Sequence, residues 1–514
     1  MSFVSPGFPV FLAAVVLLYY RLPVRYQKGL LLIASYAFYL SGGVYMLFFI
    51  LLTTVSVFFG GRWMQYVKDT RKSRKAAKKI NKRILLGEVF LNFGVLLLLK
   101  YYNFAAVNLD SLFGLFHYDV SLPLVNIILP LGISFYTFQA IGYSIDVYRD
   151  KYRAEDSFPD FALFISFFPQ IIQGPISRYD QLGSQLKEPH FFNYENLTFG
   201  AQLMLWGYFK KMVIADRAGI LVSQVFGDYT QYDGLQTFLA MVLYAIQIYA
   251  DFSGGIDMTR GAAQIMGIHL IDNFRRPYFA VTVAEYWRRW HMSLTNWMRD
   301  YVFFPLTLSK RSAKIGKWGK KHIGGTIGKQ LPAYLPTLVT FTLIGIWHGA
   351  GWGFIVYGLY NAVVIILGMM CTPVFRNMKE AVPVSNDHFA WTVLGIVRTF
   401  LIMVYGKTLT RADSLPAALT MIRKSVIWFG NGGFVSRITS MGLNGSNLIL
   451  LFLATGVFFT ISVLQERGME IRSALSQKAL PIRWLAYLAL IFAIVIFGVY
   501  GEGYSASEFV YRNY

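Results

Sequence analysis

Two of the seven histidines stand in neighbourhoods suited to acid–base chemistry. His348 lies in the run Phe341-Thr342-Leu343-Ile344-Gly345-Ile346-Trp347-His348-Gly349-Ala350-Gly351-Trp352-Gly353, apolar on both sides and rich in glycine. An ionisable side chain at membrane depth is costly and usually faces a bundle interior or a water-filled cavity. Neighbouring glycines allow a helix to break or a second backbone to come close. An imidazole with an ordinary pKa near 6.5 can take a proton from a hydroxyl at neutral pH and return it to a leaving group. The plainer alternative is a hydrogen-bonded core histidine with no chemistry, and a lone buried histidine is more often that.

His291 lies in a different setting. Between Ala284 and Tyr301 the chain packs in Trp287, Trp290 and Trp297, Arg288, Arg289 and Arg299, and the histidine itself. Rings at head-group depth and long cationic side chains reaching water suit a bilayer interface. Read as one helix, Trp287, His291 and Met298 share a face and Arg288 and Arg299 another, which describes an interfacial amphipathic helix. Asp251 and Asp257 could bind a cation or relay protons, but pairing with Arg260 or Arg288, or capping, is the commoner use of such carboxylates. Glu285 beside the arginine pair has the same ordinary reading. The sequence contains nothing like a metal-ligand cluster, and the single cysteine, Cys371, reads as a small packing residue.

The elements that must hold these residues are membrane helices. Of the 514 residues, 55% are apolar and only 15% charged, against about 25% charged in a soluble domain. The apolar residues fall in runs near the roughly 20 residues that cross a bilayer: Phe8–Tyr20, Leu30–Gly60 in two passes turning at Ser41-Gly42-Gly43, Ile84–Tyr101, Leu235–Ala250, Leu335–Ile346, Gly351–Met370, Phe389–Tyr405, Leu448–Leu464 and Trp484–Tyr500. Shorter apolar stretches lie at 122–140, 161–172 and 199–220. The first run lacks the flanks of a cleavable signal and reads as a retained helix. The net charge of +21 is not a nucleic-acid footprint. Its lysines and arginines gather between spans, at Arg62–Arg83 and Lys310–Lys329, where they fix cytoplasmic loops and meet anionic lipid head groups. Arg21, Arg25 and Lys28 after the first helix put the N-terminus outside, and the 103–121 connection reads as external. The polar stretch Lys407–Asn447 reads as a loop with a surface helix. No internal repeat is evident.

Taken together, Arg288-Arg289-Trp290-His291-Met292-Ser293-Leu294 and, about sixty residues on, Trp347-His348-Gly349-Ala350 resemble the signature of the membrane-bound O-acyltransferase (MBOAT) superfamily. Pro130–Gln139, Phe168-Pro169-Gln170 with Gly174-Pro175-Ile176, and Gln247–Gly254 with Asp257-Met258 resemble blocks of its bacterial polysaccharide-acetylating branch. The likeness runs from near the first residue to about 410 and is nearest to alginate O-acetylase membrane subunits, with teichoic-acid D-alanylation subunits as cousins.

The resemblance implies an all-α, polytopic transmembrane bundle of MBOAT type, with about 11–13 spanning or re-entrant helices around a central tunnel. It divides the chain into N-terminal helices (1–120), a catalytic core (121–410) and a C-terminal region (411–514). It makes His348 the catalytic histidine and general base and His291 the second histidine, in a supporting place near a cytoplasmic donor entrance. Trp287, Trp290, Trp347, Asp251 and Asn296 would line or support the tunnel. The activity implied is transfer of an acyl group, acetyl first, from a cytoplasmic thioester to an extracytoplasmic polysaccharide or envelope glycan. The donor would be acetyl-coenzyme A or an acyl-carrier-protein thioester, with no bound cofactor. A separate extracytoplasmic transferase or polysaccharide machinery would be the partner, in a bacterial inner membrane. The tail, with Phe509, Tyr511 and Tyr514, resembles the terminal motif of the small partner in D-alanylation systems. That makes Tyr511 a candidate acyl relay, because a phenyl ester is more activated than an alkyl ester; the alternative is an interfacial aromatic anchor. D-alanyl transfer to teichoic acid, a non-enzymatic glycan or lipid transporter, and a scaffold are the competing functions.

Overall fold

The computed structural model describes residues 2–118, 121–126, 128–375, 389–427, 430, 433–500 and 509, apart from the Phe434 side chain. Among these all regular structure is helical. Eight helices are long and apolar enough to cross a membrane: Val44–Thr70, Arg74–Leu115, Gly234–Ile265, Gly325–His348, Trp352–Met370, Phe389–Arg411, Gly445–Glu466 and Leu480–Phe497. Gly7–Arg21 is a shorter apolar helix. The faces they leave exposed are apolar, as at Phe90, Phe389, Phe452 and Leu485. Such surfaces belong against lipid, where backbone groups must be satisfied within the helix itself. The protein is a multi-pass membrane protein.

Three connections differ from the sequence reading. Residues 103–115 continue the helix that starts at Arg74, because nothing between them breaks it; Ser73 caps its start by accepting from the Ala76 amide at 3.4 Å. The basic segment after Ser309 is also a helix, Lys310–His322, whose Ser312, Gly316 and Gly319 are buried. Gly319 lies so close to the Gly328 carbonyl that a Cβ there would stand 2.8 Å from it, while the lysines point outward. Lastly, Lys407 is not the start of a loop. It lies in the closing turns of Phe389–Arg411, and Leu415–Ile427 and Phe434–Thr439 follow as helices.

The chain forms two compact units, residues 1–204 with 256–271, and 205–255 with 272–514. In the first, Val44–Thr70 and Arg74–Leu115 are joined by a polar seam inside otherwise apolar helices. Asn92 donates to Ser56 at 3.2 Å, Asn81 donates to the Met64 carbonyl at 3.0 Å, and the Glu88 side chain lies against Gly60. Small and polar residues at such a crossing replace the hydrophobic drive that lipid does not supply. The second unit holds His291 and His348.

Candidate active site

His348 ends the helix Gly325–His348, and a bend at Gly349–Gly351 turns the chain into Trp352–Met370. These two helices cross at a pair of glycines. A Cβ at Gly345 would stand 2.3 Å from the Phe354 carbonyl oxygen, and one at Gly358 would stand 2.4 Å from that of Phe341. A third close approach, Gly353 to the Leu409 carbonyl, brings in the helix Phe389–Arg411, and Tyr360 donates to the Ile402 carbonyl at 2.8 Å beside it. Large side chains at these three glycines would hold the backbones apart.

The three helices frame a small pocket lined by His348, Phe354, Tyr357, Lys407 and Thr410, together with Trp290 and Ile248. His348 is 6% exposed and Lys407 only 2%. The Lys407 ammonium nitrogen stands 3.7 Å from the centre of the Trp290 ring and 5.8 Å from that of Tyr286. An imidazole and an amine therefore face one small, largely apolar space. Such a space sets a proton acceptor beside an amine in largely apolar surroundings, the setting that proton transfer to and from a bound group uses.

Trp290 and His291 do not continue a helix. Val283–Arg289 stops at Trp290, which is extended, and His291 takes the left-handed conformation (φ 45°) at the start of Met292–Met298. The single amphipathic helix expected from the sequence is thus two short ones at a break. A non-glycine residue held at positive φ needs its surroundings to fix it. The segment around Asn273 does so: the Met292 amide donates to its carbonyl at 2.9 Å and the Ser293 amide to its side-chain oxygen at 3.0 Å. The same oxygen lies 3.2 Å from His291 Nδ1. His291 is fully buried, its ring edge-on to Phe252 at 4.8 Å, and burial lowers its pKa to about 3. At neutral pH it is an uncharged imidazole.

Trp347 stands between the two histidines, its ring centre 5.4 Å from that of His291 and 5.0 Å from that of His348. Trp287 is one layer back, donating to the buried Asn361 at 3.0 Å and packing on Phe341. Asn296 is half-buried and does not line the cavity. Asp251 finds a lysine, a partner the sequence reading did not name. It is completely buried against Lys211 at 2.7 Å, and Lys211 also pairs with Asp216 at 2.8 Å. Burial alone would lower the Lys211 pKa, but the two carboxylates outweigh it and hold it above the usual lysine value. Asp257 does reach Arg260, at 3.8 Å, and Glu285 binds Arg289 at 2.6 Å. Tyr511 lies outside the described residues. Phe509 is buried, with the Lys211 ammonium 4.9 Å from its ring centre. Sequence reasoning missed Lys407, although a lysine following the apolar run Phe400–Tyr405 is itself the signal of an ionisable group at membrane depth. Asn273 carries no comparable local signal.

The chain matches the family model described as MBOAT, membrane-bound O-acyltransferase family, over residues 153–409, a stretch that includes His291, His348 and Lys407. It is 32% identical over 457 residues to the probable alginate O-acetylase AlgI of Pseudomonas aeruginosa, covering 88% of this chain and 79% of that protein. Similarity extends to the peptidoglycan O-acetyltransferase of Helicobacter pylori, 30% identical over 67% of this chain and 64% of that one. It extends also to the teichoic acid D-alanyltransferase of Bacillus subtilis, 30% identical over 55% of this chain and 69% of that one.

Proposed function

This chain belongs to the membrane-bound O-acyltransferase family and is an acyltransferase, and we propose that it moves an acetyl group from a cytoplasmic thioester towards an extracytoplasmic polysaccharide, with His348 as general base. The observation that carries this reading is His348 itself, buried at a helix end inside the matched region and lining a small, largely apolar pocket. Acyl transfer asks for a base, an aligned acceptor and the exclusion of water. The His348 imidazole takes the acceptor hydroxyl proton as the oxygen attacks the carbonyl carbon, then gives it to the departing thiolate. His291, neutral and fully buried beside Trp347, positions the wall of the cavity and does not exchange the proton.

Acetyl and a polysaccharide acceptor are favoured because two relatives are named for O-acetylation of alginate and peptidoglycan. The donor in this reading is acetyl-coenzyme A or an acyl-carrier-protein thioester, and a separate extracytoplasmic transferase places the group on the polymer. The site is the inner membrane of a bacterium, with the N-terminus outside. A second reading, D-alanyl transfer, is supported by the Bacillus subtilis relative and by the aromatic tail, whose Phe509 is buried beside Lys211. In either reading Tyr511 serves as the acyl relay, its phenol oxygen accepting the acyl group and releasing it to the final acceptor.

Esters released by mild base from surface polymers, identified by mass spectrometry, test the proposal in cells carrying the intact protein or His348→Ala. Loss of one ester with the variant still present in the membrane is the expected result and names the acyl group. Unchanged esters would remove His348 from catalysis. For the relay, an acyl adduct on a C-terminal peptide is expected, and full activity of Tyr511→Phe without any adduct would end that part.

A further inference from the structure

Lys407 has a burial and a set of neighbours that packing does not explain. It lies within the apolar helix Phe389–Arg411, 2% exposed, and a lysine there ordinarily finds a carboxylate or leaves for the interface. Among the described residues Lys407 has no ion pair and its side chain makes no hydrogen bond; its neighbours are the faces of Trp290 and Tyr286, at 3.7 and 5.8 Å. Contrast Lys211, equally buried in the same unit, which holds two carboxylates. Ring faces attract a cation but accept no conventional hydrogen bond from it. The ammonium donors are therefore left for something that enters the cavity shared with His348.

Resting on the acyl-transfer reading above, we propose that Lys407 is a catalytic residue whose ammonium binds the oxyanion formed on the acyl carbonyl during transfer. The acceptor oxygen bonds to the thioester carbonyl carbon while its proton passes to His348. The carbonyl π pair moves onto oxygen, and Lys407 donates a hydrogen bond to that oxyanion without giving up its proton. Collapse re-forms the carbonyl and breaks the carbon–sulfur bond, and the thiolate takes the proton from His348. Charge developing in a water-excluded site is where a fixed positive group acts most strongly, and removal of one such donor costs about 10²–10³ in rate. The glycine contact of Gly353 with the Leu409 carbonyl is what brings the lysine to the cavity.

The test follows the initial rate at which base-labile esters accumulate on surface polymers after induction, at matched membrane levels of protein. Lys407→Met is expected to lower that rate at least a hundredfold, and Lys407→Arg to stay within tenfold of the intact protein. Because the chain has one cysteine, Lys407→Cys in a Cys371→Ala background carries a single thiol. Its modification with 2-aminoethyl methanethiosulfonate restores a cationic side chain, while propyl methanethiosulfonate gives a neutral one of similar length. Intact mass reads the extent of labelling. Recovery with the amine and none with the propyl group is the expected result, which a purely structural lysine would not produce. A Lys407→Met rate within threefold of normal, an arginine variant as inactive as methionine, or equal recovery by both reagents would each overturn the assignment. The Met and Arg variants decide alone where the thiol stays unlabelled. His348→Ala in the same cells separates the two levels: unchanged esters there sink the acyl-transfer reading, whereas loss there with full Lys407→Met activity sinks only the lysine.

Discussion

A single methyl group at Gly345 tests whether the glycine crossing sets the geometry of the site. An alanine Cβ would stand 2.3 Å from the Phe354 carbonyl oxygen and 3.0 Å from the Gly358 Cα, whereas ordinary contact begins at 3.4 Å. Both near atoms are backbone, so no side chain can swing away, and the helices must part by about 1 Å at this level. His348 lies one turn further along one helix, and Phe354 and Tyr357 line the cavity from the other. The methyl therefore displaces the imidazole relative to the opposite wall. A misplacement of about 1 Å can cost around a hundredfold in rate, while overpacking costs about 1–3 kcal/mol in stability. Gly345→Ala is thus expected to remain folded in the membrane, to melt earlier in detergent, and to lose ester formation out of proportion to the protein lost. Gly368→Ala is the control, on the same helix hairpin, with nothing within 4 Å of its Cβ. There the methyl should be neutral or slightly stabilising, since alanine is the better helix former. Wild-type ester formation by Gly345→Ala at normal protein levels would refute the argument that this crossing positions His348.

Three further outcomes follow from the same geometry. His291 has a folded pKa of about 3, below its unfolded value near 6.5, so the unfolded state binds the extra proton between those values and stability falls as pH falls. From pH 7 to 5 the loss attributable to His291 is about 2 kcal/mol; thermal melts of solubilised protein should flatten over that range in His291→Gln, and an unchanged slope would contradict it. Asp251→Leu leaves buried Lys211 with one carboxylate and should cost about 3–5 kcal/mol, part of which Lys211→Met restores when added; a double variant no better than the single would argue against the pair. Trp287→Phe strands the buried Asn361 oxygen, at about 1–3 kcal/mol by thermal unfolding, and Asn361→Leu on that background should recover some of the loss.

Much of the protein is legible in its sequence. Apolar runs of bilayer length specify spanning helices because no other short-range structure satisfies the backbone in lipid; the second pass of Leu30–Gly60, Gly351–Met370 and Phe389–Tyr405 fall in the helices Val44–Thr70, Trp352–Met370 and Phe389–Arg411. His348 stood out for the same reason, as an ionisable group in an apolar run flanked by glycines. Boundaries are less legible where charge suggests a loop: Lys310–His322 is a helix because its small residues, spaced three to four apart, dock on a neighbour while its lysines face away. What only the tertiary structure decided is which side chains meet. The break at Trp290–His291 depends on Asn273, a residue with no local mark, holding His291 from a separate stretch of chain. Lys407 reaches the His348 cavity because Gly353 admits the Leu409 backbone across two helices. Periodicity and hydropathy are properties of one segment, and they fix what each helix is; the meeting of an imidazole and an amine depends on how far two backbones can approach, which no single segment encodes.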